Sequence, residues 1–562
     1  MKKYLFPLCI VLLIYACTPM ENPMVVLNGV SIEKESLSIG YGTSYTLQAN
    51  VSPKRLSGDV TLLWTTSNAA VVEVDQKGVI TAKRHGEAII TVTATQDGTS
   101  FTASCEVTVV PVVVETDIPD EVFRAYCLEI ADSNKDGILS SNETVDVYRI
   151  NVSGLGITSL EGIQIFTSLI TLSCDNNQLT TLDVSANPAL QILYCHSNQL
   201  TDLNVSANPA LRTLYCANNQ LTNLDVSANP ALQSLYCHIN QLSKLDVNAN
   251  PALQELFCTS NQLVALDLSA NPALRTLYCN KNQLNNLDVS ANSALQYLSC
   301  NSNQLTGLDV SGNPALETLS CGSNQLTSLD VSGNPALETL SCDSNQLTSL
   351  DVRGKPVLES LGCGSNNLTS LDVSANPVLE FLSCYSNQLT SLDVSGNPAL
   401  KTIDCGDNQL IVLNVDANPA LQRLNCYYNQ LTALNVSCNT VLESLDCGHN
   451  QLTNMDISAN PALESLGCYS NQLTDLDVSG NPALEFLSCG SNKLMGLDVS
   501  SNPAIQTLYC YGNKLSTLDV SHNTTLQTLH CYRNPDLTAL WLKTGQTIAN
   551  LIKDSQTVIG YK

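Results

Sequence analysis

A cysteine recurs every 21 residues through most of this 562-residue chain. The eighteen positions run from Cys174 to Cys531 without one insertion or deletion. Self-similarity at a fixed period of this size is typical of solenoids, in which each turn buries its apolar edge only against its neighbours. The spacing therefore predicts a stack of about eighteen turns rather than one compact core.

One repeat unit, Leu211 to Ala231, reads LRTLYCANNQLTNLDVSANPA. Leu and Cys alternate with outward residues, which is the period of a strand with one buried face. The Asn three residues after each Cys, such as Asn198 and Asn219, is predicted to form an amide ladder that satisfies buried backbone groups. The unit resembles the bacterial 21-residue form of the leucine-rich repeat family. That resemblance implies a mainly β fold, with a curved, right-handed leucine-rich repeat solenoid over residues 166–534.

The repeated cysteines are predicted to be buried, reduced thiols, because Cys is among the most readily buried residue types. In-register parallel strands place neighbouring Cβ atoms about 4.8 Å apart, whereas a disulfide prefers ~3.5 to 4.5 Å. His196, His238 and His449 lie close to repeated cysteines in the sequence. Strand alternation points residues adjacent to Cys to the opposite face, which argues against a shared metal site.

Aromatic residues occupy outward positions beside the cysteines. Five consecutive turns carry one directly before the Cys, a set that we name the first aromatic stripe: Tyr194, Tyr215, Tyr236, Phe257 and Tyr278. A second group lies after the Cys or near it: Tyr385, Tyr427, Tyr469, Tyr509, Tyr511 and Tyr532. Flat rings with a polar end suit protein or sugar ligands, so the first aromatic stripe is the predicted ligand-binding surface. The alternative is that its rings only stack on one another across strands.

A row of acidic residues runs along the second half of the repeat. Asp occupies fourteen of seventeen equivalent positions from Asp183 to Asp519, and Asn occupies the other three. Carboxylates about 5 Å apart in water repel one another by only about 0.8 kcal/mol per pair. We therefore expect a solvated row, or one hydrogen-bonded to the next turn, in preference to a cation-binding ladder.

The N-terminus carries an export pattern. Lys2 and Lys3 precede an apolar run that is too short to span a bilayer as a stable helix. The run ends in Ile14-Tyr15-Ala16-Cys17, which resembles the bacterial lipobox. That resemblance implies a lipoprotein signal peptide over residues 1–17, a lipidated Cys17 and a linker over 18–24. We expect attachment to the outer membrane through this lipid alone, with the chain exposed at the cell surface; the alternative is a plain secretory signal.

Residues 25–111 alternate apolar and polar positions in short runs separated by turn residues, which favours a β-sandwich. The segments around Leu62–Asn68, Val74–Ala82 and Gly86–Val92 resemble the bacterial Ig-like group 2 domain. In such domains the Trp lies in the core, which implies a packing role for Trp64. The resemblance implies a spacer or adhesive module.

Residues 112–165 are predicted to hold a short helix, a calcium loop and the N-terminal cap of the solenoid. The helix should span Pro119 to Ile130 and turn one apolar face inward, formed by Val122, Phe123, Tyr126, Cys127 and Ile130. The twelve residues from Asp132 to Glu143 then fit the EF-hand template at each coordinating position. The predicted calcium ligands are Asp132, Asn134, Asp136, Ser140 and Glu143 with the backbone carbonyl of Ile138. Leu139 should point inward, and the alternative is a solvated turn.

The charge and the regular repeat limit the function. With 51 acidic and 25 basic residues the formal charge is −26, which argues against nucleic-acid binding. The six His are scattered and the array has no inserted loop, so an enzyme is not expected. Residues 535–562 break the template and are predicted to cap the solenoid.

We therefore predict a monomeric, adhesin-like surface protein. By resemblance to internalin-like and other leucine-rich surface proteins, its solenoid is expected to bind a host or bacterial protein. The alternatives are a glycan-binding accessory of polysaccharide uptake and a structural component of the envelope.

Overall fold

The computed structural model describes residues 24–110 and 118–562. The predicted signal peptide, Cys17 and nearly all of the linker lie outside the described residues. The chain divides into two units, one formed by residues up to 117 with Ala125–Val147 and the other by Ile118–Arg124 with Tyr148–Lys562. Each unit is described by itself.

The N-terminal part of the first unit is an antiparallel-rich β domain. Its strands are β1 Gly29–Ile32, β2 Ser36–Gly40, β3 Ser44–Thr46, β4 Ala49–Ser52, β5 Thr61–Thr66, β6 Val72–Val74, β7 Val79–Ala82, β8 Gly86–Gln96 and β9 Thr99–Val110. They form sheets of order β2-β9-β8-β5, β3-β7-β6 and β1-β4. The alternation in β8 buries every second residue from Ala88 onward, as expected of a strand with one core-facing side.

The core of this domain surrounds Trp64, which is 4% exposed. The packing role predicted for Trp64 is therefore confirmed. Gly78, at φ +81°, makes the close approach possible, since an added Cβ would lie 2.6 Å from the Leu47 carbonyl and 2.9 Å from the Trp64 ring. A side chain at that position would displace the indole.

Two helices precede the solenoid: α1 Glu121–Ala131 and α2 Ser141–Thr144. The Asp120 carboxylate accepts the N–H groups of Val122 and Phe123, both at 3.1 Å, and so satisfies free donors at the start of α1. Phe123 and Leu139 are buried as predicted. The predicted apolar face was too wide, because Val122 and Ile130 are 46% and 38% exposed.

The second unit is built on a parallel sheet of 20 strands, each joined in register to the next. Between the first two strands lies one turn of 3₁₀ helix, Ile163–Ile165. The sheet strands are β10 Arg149–Asn151, β11 Thr171–Ser173, β12 Ile192–Tyr194, β13 Thr213–Tyr215, β14 Ser234–Tyr236, β15 Glu255–Phe257, β16 Thr276–Tyr278, β17 Tyr297–Ser299, β18 Thr318–Ser320, β19 Thr339–Ser341, β20 Ser360–Gly362, β21 Phe381–Ser383, β22 Thr402–Asp404, β23 Arg423–Asn425, β24 Ser444–Asp446, β25 Ser465–Gly467, β26 Phe486–Ser488, β27 Thr507–Tyr509, β29 Thr528–His530 and β31 Asn550–Ile552. A second parallel sheet, β28-β30-β32, comprises Thr517–Asp519, Ala539–Leu542 and Val558–Tyr561.

The large sheet extends one strand beyond the repeated cysteines at each end. At the N-terminal end, Ile150 in β10 and Val152 just after it take the places of Leu and Cys. The Val152 N–H donates to the Ser173 carbonyl, as the Cys174 N–H donates to the Tyr194 carbonyl, both at 2.8 Å. At the other end β31 pairs with β29. Residues 535–562, predicted as the C-terminal cap, thus continue the sheet by one further strand.

Two ladders of buried Asn line the turns. Asn198 accepts the Leu179 N–H at 3.0 Å and donates to the carbonyls of Cys174 and Cys195 at 3.0 and 3.1 Å, which confirms the predicted ladder. The second ladder was not predicted: the Asn of the Asn-Pro pair that ends each repeat unit, such as Asn208, is 0% exposed. It donates to carbonyls 24 and 21 residues earlier, at 3.0 and 2.9 Å. These bonds tie each turn to the preceding one.

Candidate functional site: the outer face of the parallel sheet

The repeated cysteines form the inner row of the sheet. All eighteen, from Cys174 to Cys531, are unpaired and buried, as predicted. Burial raises the pKa of these thiols, to about 12 for Cys258 and Cys300, so they stay protonated at neutral pH. Residues on either side of each Cys point to the opposite side of the sheet, which we name the outer face.

The first aromatic stripe lies on the outer face, and its members are half-buried rather than fully exposed. Phe257 and Tyr278 stack with ring centroids 4.7 Å apart and planes 9° from parallel. Tyr236 and Phe257 stack at 4.7 Å and 18°, and Tyr215 lies 4.8 Å from Tyr236. Tyr194 instead meets Tyr215 edge-on, at 6.3 Å and 66°. The predicted alternative of cross-strand stacking therefore describes the geometry of the stripe from Tyr215 to Tyr278.

Polar groups border this stripe. The Tyr236 hydroxyl donates to Glu255 at 2.5 Å, and this bond together with burial raises the pKa of Tyr236 well above 10. His196 stacks on Tyr215 at 4.1 Å and lies 3.6 Å from the Asp175 carboxylate. The position of His196 on the outer face confirms that it is directed away from Cys195.

The second aromatic group has a different geometry. Tyr385, Tyr427, Tyr469 and Tyr511 each lie over the glycine at the equivalent position of the preceding turn. Their rings are half-buried and occupy the space that a glycine side chain would need. Only the last pair of this group, Tyr511 and Tyr532, stacks ring on ring, at 5.2 Å and 11°.

The Asp row has a local structural role. Asp183 accepts the Ser185 N–H at 2.9 Å, and Asp309 accepts the Ser311 N–H at the same distance. In each turn the Asp side chain accepts the backbone N–H of the residue two positions later, which is the pattern of an Asx turn. The hydrogen bonds from serine lower the pKa of both carboxyls. Asp183 and Asp309 are exposed, in agreement with the expected solvated row, and a link between turns is made at Asp267, which accepts the Asn248 amide at 3.3 Å.

The predicted calcium loop folds around its own carboxylates. Asp132 accepts the Gly137 N–H at 2.9 Å, and Asp136 accepts the Ile138 N–H at 2.8 Å. Glu143 turns back into the loop, where its two oxygens accept the N–H groups of Ser133 and Ser140, both at 3.0 Å. Hydrogen bonds from Ser140, opposed by burial, lower the pKa of Glu143 to about 2.

The donor set of this loop fits calcium, which takes oxygen ligands from carboxylates, amides, hydroxyls and backbone carbonyls. Gly137 and Lys135 adopt the left-handed conformation, at φ 78° and 60°, and turn the chain back on itself. Within residues 24–110 and 118–562, however, no three His, Cys, Asp or Glu side chains converge on a point that could hold a metal. Calcium binding stays a prediction that depends on the mixed donor set.

Comparisons with known proteins agree with this architecture. Residues 26–107 match the family of the bacterial Ig-like domain (group 2), and residues 151–208, 209–250 and 293–334 match leucine-rich repeats (2 copies). An uncharacterized protein of Clostridium acetobutylicum is 30% identical over 135 residues, 23% of this chain. The chain spans about a third of that curated relative, 31% of its length.

Solved structures share the solenoid. The functional domain of InlJ from Listeria monocytogenes, which includes a cysteine ladder, is 35% identical with a TM-score of 0.58, over 61% of this chain and 77% of that one. YopM from Yersinia enterocolitica is 24% identical with a TM-score of 0.54, over 75% and 93% of the two chains. The plant peptide hormone receptor RGFR1 in complex with RGF2 is 19% identical with a TM-score of 0.64, over 75% and 76%. The last two show the fold alone.

In the part of the chain that the structure describes, no helix is long and apolar enough to cross a bilayer. The protein is mostly β, and a group 2 bacterial Ig-like domain precedes a parallel solenoid of leucine-rich repeats with a cysteine ladder.

Proposed function

We propose that this protein is a lipid-anchored surface protein that binds a protein ligand through the outer face of its solenoid. The observation that carries the proposal is the first aromatic stripe, a row of rings in contact over five adjacent strands, of which Tyr236, Phe257 and Tyr278 are stacked. Tyr is enriched at the energetic centres of protein interfaces because it buries a large apolar ring and keeps a hydroxyl for hydrogen bonds. With ring faces already covered by neighbours, the exposed edges suit protein side chains better than the flat face of a sugar.

The regular scaffold also favours binding over catalysis. Leucine-rich repeats and Ig-like domains are typical of proteins that present surfaces, and the repeat has no inserted loop between Cys174 and Cys531. We infer a monomer with a host or bacterial protein as its partner. The exposed Tyr297, at 38%, lies on the next strand of the same outer face and extends the apolar surface available to that partner.

A panel of host and bacterial extracellular proteins tests the binding function. Wild type should capture a partner, and the triple variant Tyr194→Ala, Tyr215→Ala, Tyr236→Ala should lose at least about 2 kcal/mol, about 30-fold in affinity. The variant Ser320→Ala, Ser341→Ala on the same outer face is the control and should bind as wild type. Binding that survives the triple change would refute the assignment to this stripe, and capture of no partner would favour a structural role.

The lipid anchor is proposed from the lipobox-like residues that end at Cys17. More than one acyl chain gives nearly permanent membrane attachment, at ~0.8 kcal/mol per buried methylene. Metabolic labelling with a fatty acid should mark the wild-type protein in outer-membrane fractions, and Cys17→Ser should abolish the label. A label that persists in the variant would place lipidation elsewhere.

We also propose that the Asp132–Glu143 loop binds one calcium ion. Asp132, Asn134, Asp136, Ser140 and Glu143 would supply side-chain oxygens and Ile138 its carbonyl, and the bound ion would stiffen the loop. Calorimetric titration of the full chain with calcium should give one site that is lost in Asp132→Ala, Glu143→Ala. Lys135→Ala, at a loop position that supplies no side-chain ligand, should leave the titration unchanged. Absence of any binding heat in wild type would reject the site.

A further inference from the structure

The second aromatic group follows a period of its own. Directly after the repeated Cys, glycine and tyrosine alternate over eight turns: Gly364, Tyr385, Gly406, Tyr427, Gly448, Tyr469, Gly490 and Tyr511. The alternation superimposes a 42-residue, two-turn unit on the 21-residue repeat. Because the turns are in register, every tyrosine has a glycine beside it in the preceding turn.

Each glycine lets the following tyrosine lie flat on the sheet. Three ring atoms of Tyr469 lie 2.5, 2.6 and 2.9 Å from the point where a Gly448 side chain would begin. For Tyr511 over Gly490 the values are 2.8, 2.8 and 3.0 Å. Three ring atoms at nearly equal distances from one point mean that the face of the ring, and not its edge, covers the glycine. The opposite face of Tyr469 therefore points away from Gly448, whereas that of Tyr511 is covered by the stacked ring of Tyr532.

The rings are spaced as separate platforms. Neighbouring strands lie about 4.8 Å apart, so tyrosines two turns apart are separated by about 10 Å. That distance is too great for them to stack on each other. The first aromatic stripe differs, because its rings from Tyr215 to Tyr278 lie in successive turns with centroids 4.7 to 4.8 Å apart.

A carboxylate accompanies three of the four platforms. Asp343, Asp404 and Asp446 accept the N–H groups of Gly364, Gly406 and Gly448 at 2.8, 3.3 and 3.0 Å. These are the glycines beneath Tyr385, Tyr427 and Tyr469. Each unit thus combines a flat ring with a fixed hydrogen-bond acceptor beside it.

We propose that the outer face from Asp343 to Tyr469 is a binding track for an extended, neutral β-1,4-linked glycan. Such a chain turns each sugar over relative to the next, so the same sugar face returns at every second residue, at a step close to two turns of the sheet. The apolar face of a sugar stacks on tyrosine, and its hydroxyls donate to the carboxylates. The row of carboxylates and the chain's formal charge of −26 oppose anionic polysaccharides. The track is separate from the first aromatic stripe and does not depend on the protein ligand proposed there.

Titration of the full chain with defined oligosaccharides tests the track. Cellohexaose or chitohexaose, which are long enough to reach more than one platform, should bind more tightly than the corresponding trisaccharide, and α-linked maltohexaose should not bind. Tyr427→Ala with Tyr469→Ala should weaken hexasaccharide binding by about tenfold or more for each ring lost. Tyr215→Ala with Tyr236→Ala should leave it unchanged.

A second variant separates loss of the ring from displacement of the ring. Gly448→Ala keeps Tyr469 but adds a Cβ where the ring lies, so it should also weaken binding. Gly496→Ala is the matched control, because nothing lies within 4 Å of the added Cβ. Failure of both β-1,4-linked hexasaccharides to bind, or equal binding by the wild type and the Tyr427, Tyr469 double variant, would overturn the proposal.

Discussion

Replacing Lys355 by Asn should stabilise the middle of the solenoid. The second Asn ladder is interrupted at this position, where the sequence reads Gly354-Lys355-Pro356 in place of the usual Asn-Pro. Lys355 is nevertheless 1% exposed. Burial lowers the pKa of its ammonium, although attraction to Asp330 and Asp351 opposes the shift. No hydrogen bond from the Lys355 side chain is found within residues 24–110 and 118–562.

The gain follows from the bonds that every neighbouring Asn makes. Asn at 355 would donate to the carbonyls of Val331 and Asn334, as Asn376 donates to Val352 and Lys355 at 3.1 and 2.9 Å. Two such bonds contribute about 2 kcal/mol. The gain from removing the buried ammonium is about offset by the amide oxygen of the new Asn, since the Oδ1 atoms of Asn334 and Asn376 are buried without a hydrogen-bond partner. Loss of about two buried methylenes costs about 1.6 kcal/mol. The net stabilisation is therefore about 0.4 kcal/mol, which corresponds to about a twofold change in local opening.

Hydrogen exchange followed by mass spectrometry measures this effect locally, which suits a repeat array whose turns need not unfold together. Lys355→Asn should slow exchange of amides in residues 331–376 by about twofold and leave residues 174–237 unchanged. Asn313→Lys, the reverse change two turns earlier, should speed exchange around its own turn. Equal or faster exchange in Lys355→Asn would refute the idea that the ladder bonds stabilise the turns.

Three further predictions concern other parts of the chain. Ile239 is a β-branched residue at φ 55°, in a row of equivalent positions occupied mainly by Ser, Asn and Asp. Ile239→Asn should therefore stabilise its turn by about 1 kcal/mol in the same exchange assay. No change would show that the left-handed position carries no strain. In native protein a thiol reagent should modify exposed Cys438 quickly and the buried repeated cysteines only after unfolding, and fast labelling of the repeated cysteines would contradict the inner row. The pKa of Glu143 is lowered from 4.5 to about 2, so its contribution to loop stability is fully present above pH 4.5 and lost as the pH falls toward 2. Amide protection in residues 133–140 should follow that pH window in wild type and not in Glu143→Gln.

Much of the fold could be predicted from the sequence because the repeat is so regular. A fixed 21-residue spacing sets the register of every strand, and alternation within L-x-C sets which side chains are buried. The inward cysteines and the first Asn ladder follow from these two rules, whereas the core position of Trp64 was implied by the resemblance to the Ig-like domain. The second Asn ladder was missed because Asn-Pro is an ordinary turn signal, and nothing local distinguishes a buried amide from a solvated one.

The ends of the sheet were harder to predict for a similar reason. In β10 the ladder position is taken by Val152, and in β31 no Cys follows the strand, so a search based on Cys misses both turns. A search that accepts any small apolar residue at the Cys position of the repeat would have found the turn of β10.

The candidate site was predictable in composition but not in geometry. The sequence indicates that rings lie on the outer face, yet whether a ring covers another ring or a glycine depends on the residue one turn earlier. Phe257 precedes Tyr278 and the two stack, whereas Gly448 precedes Tyr469 and leaves it flat. Comparison of each turn with its predecessor, rather than with the consensus, was the signal that would have revealed the two-turn unit.

Site-specific photo-crosslinking on intact cells tests most directly the claim that the outer face binds ligands. A photoreactive amino acid would replace Tyr236 on the outer face or, in a second variant, exposed Asp309 in the Asp row. The account predicts crosslinks to a surface partner from position 236 and none from position 309. Crosslinks from position 309 with none from position 236 would contradict it.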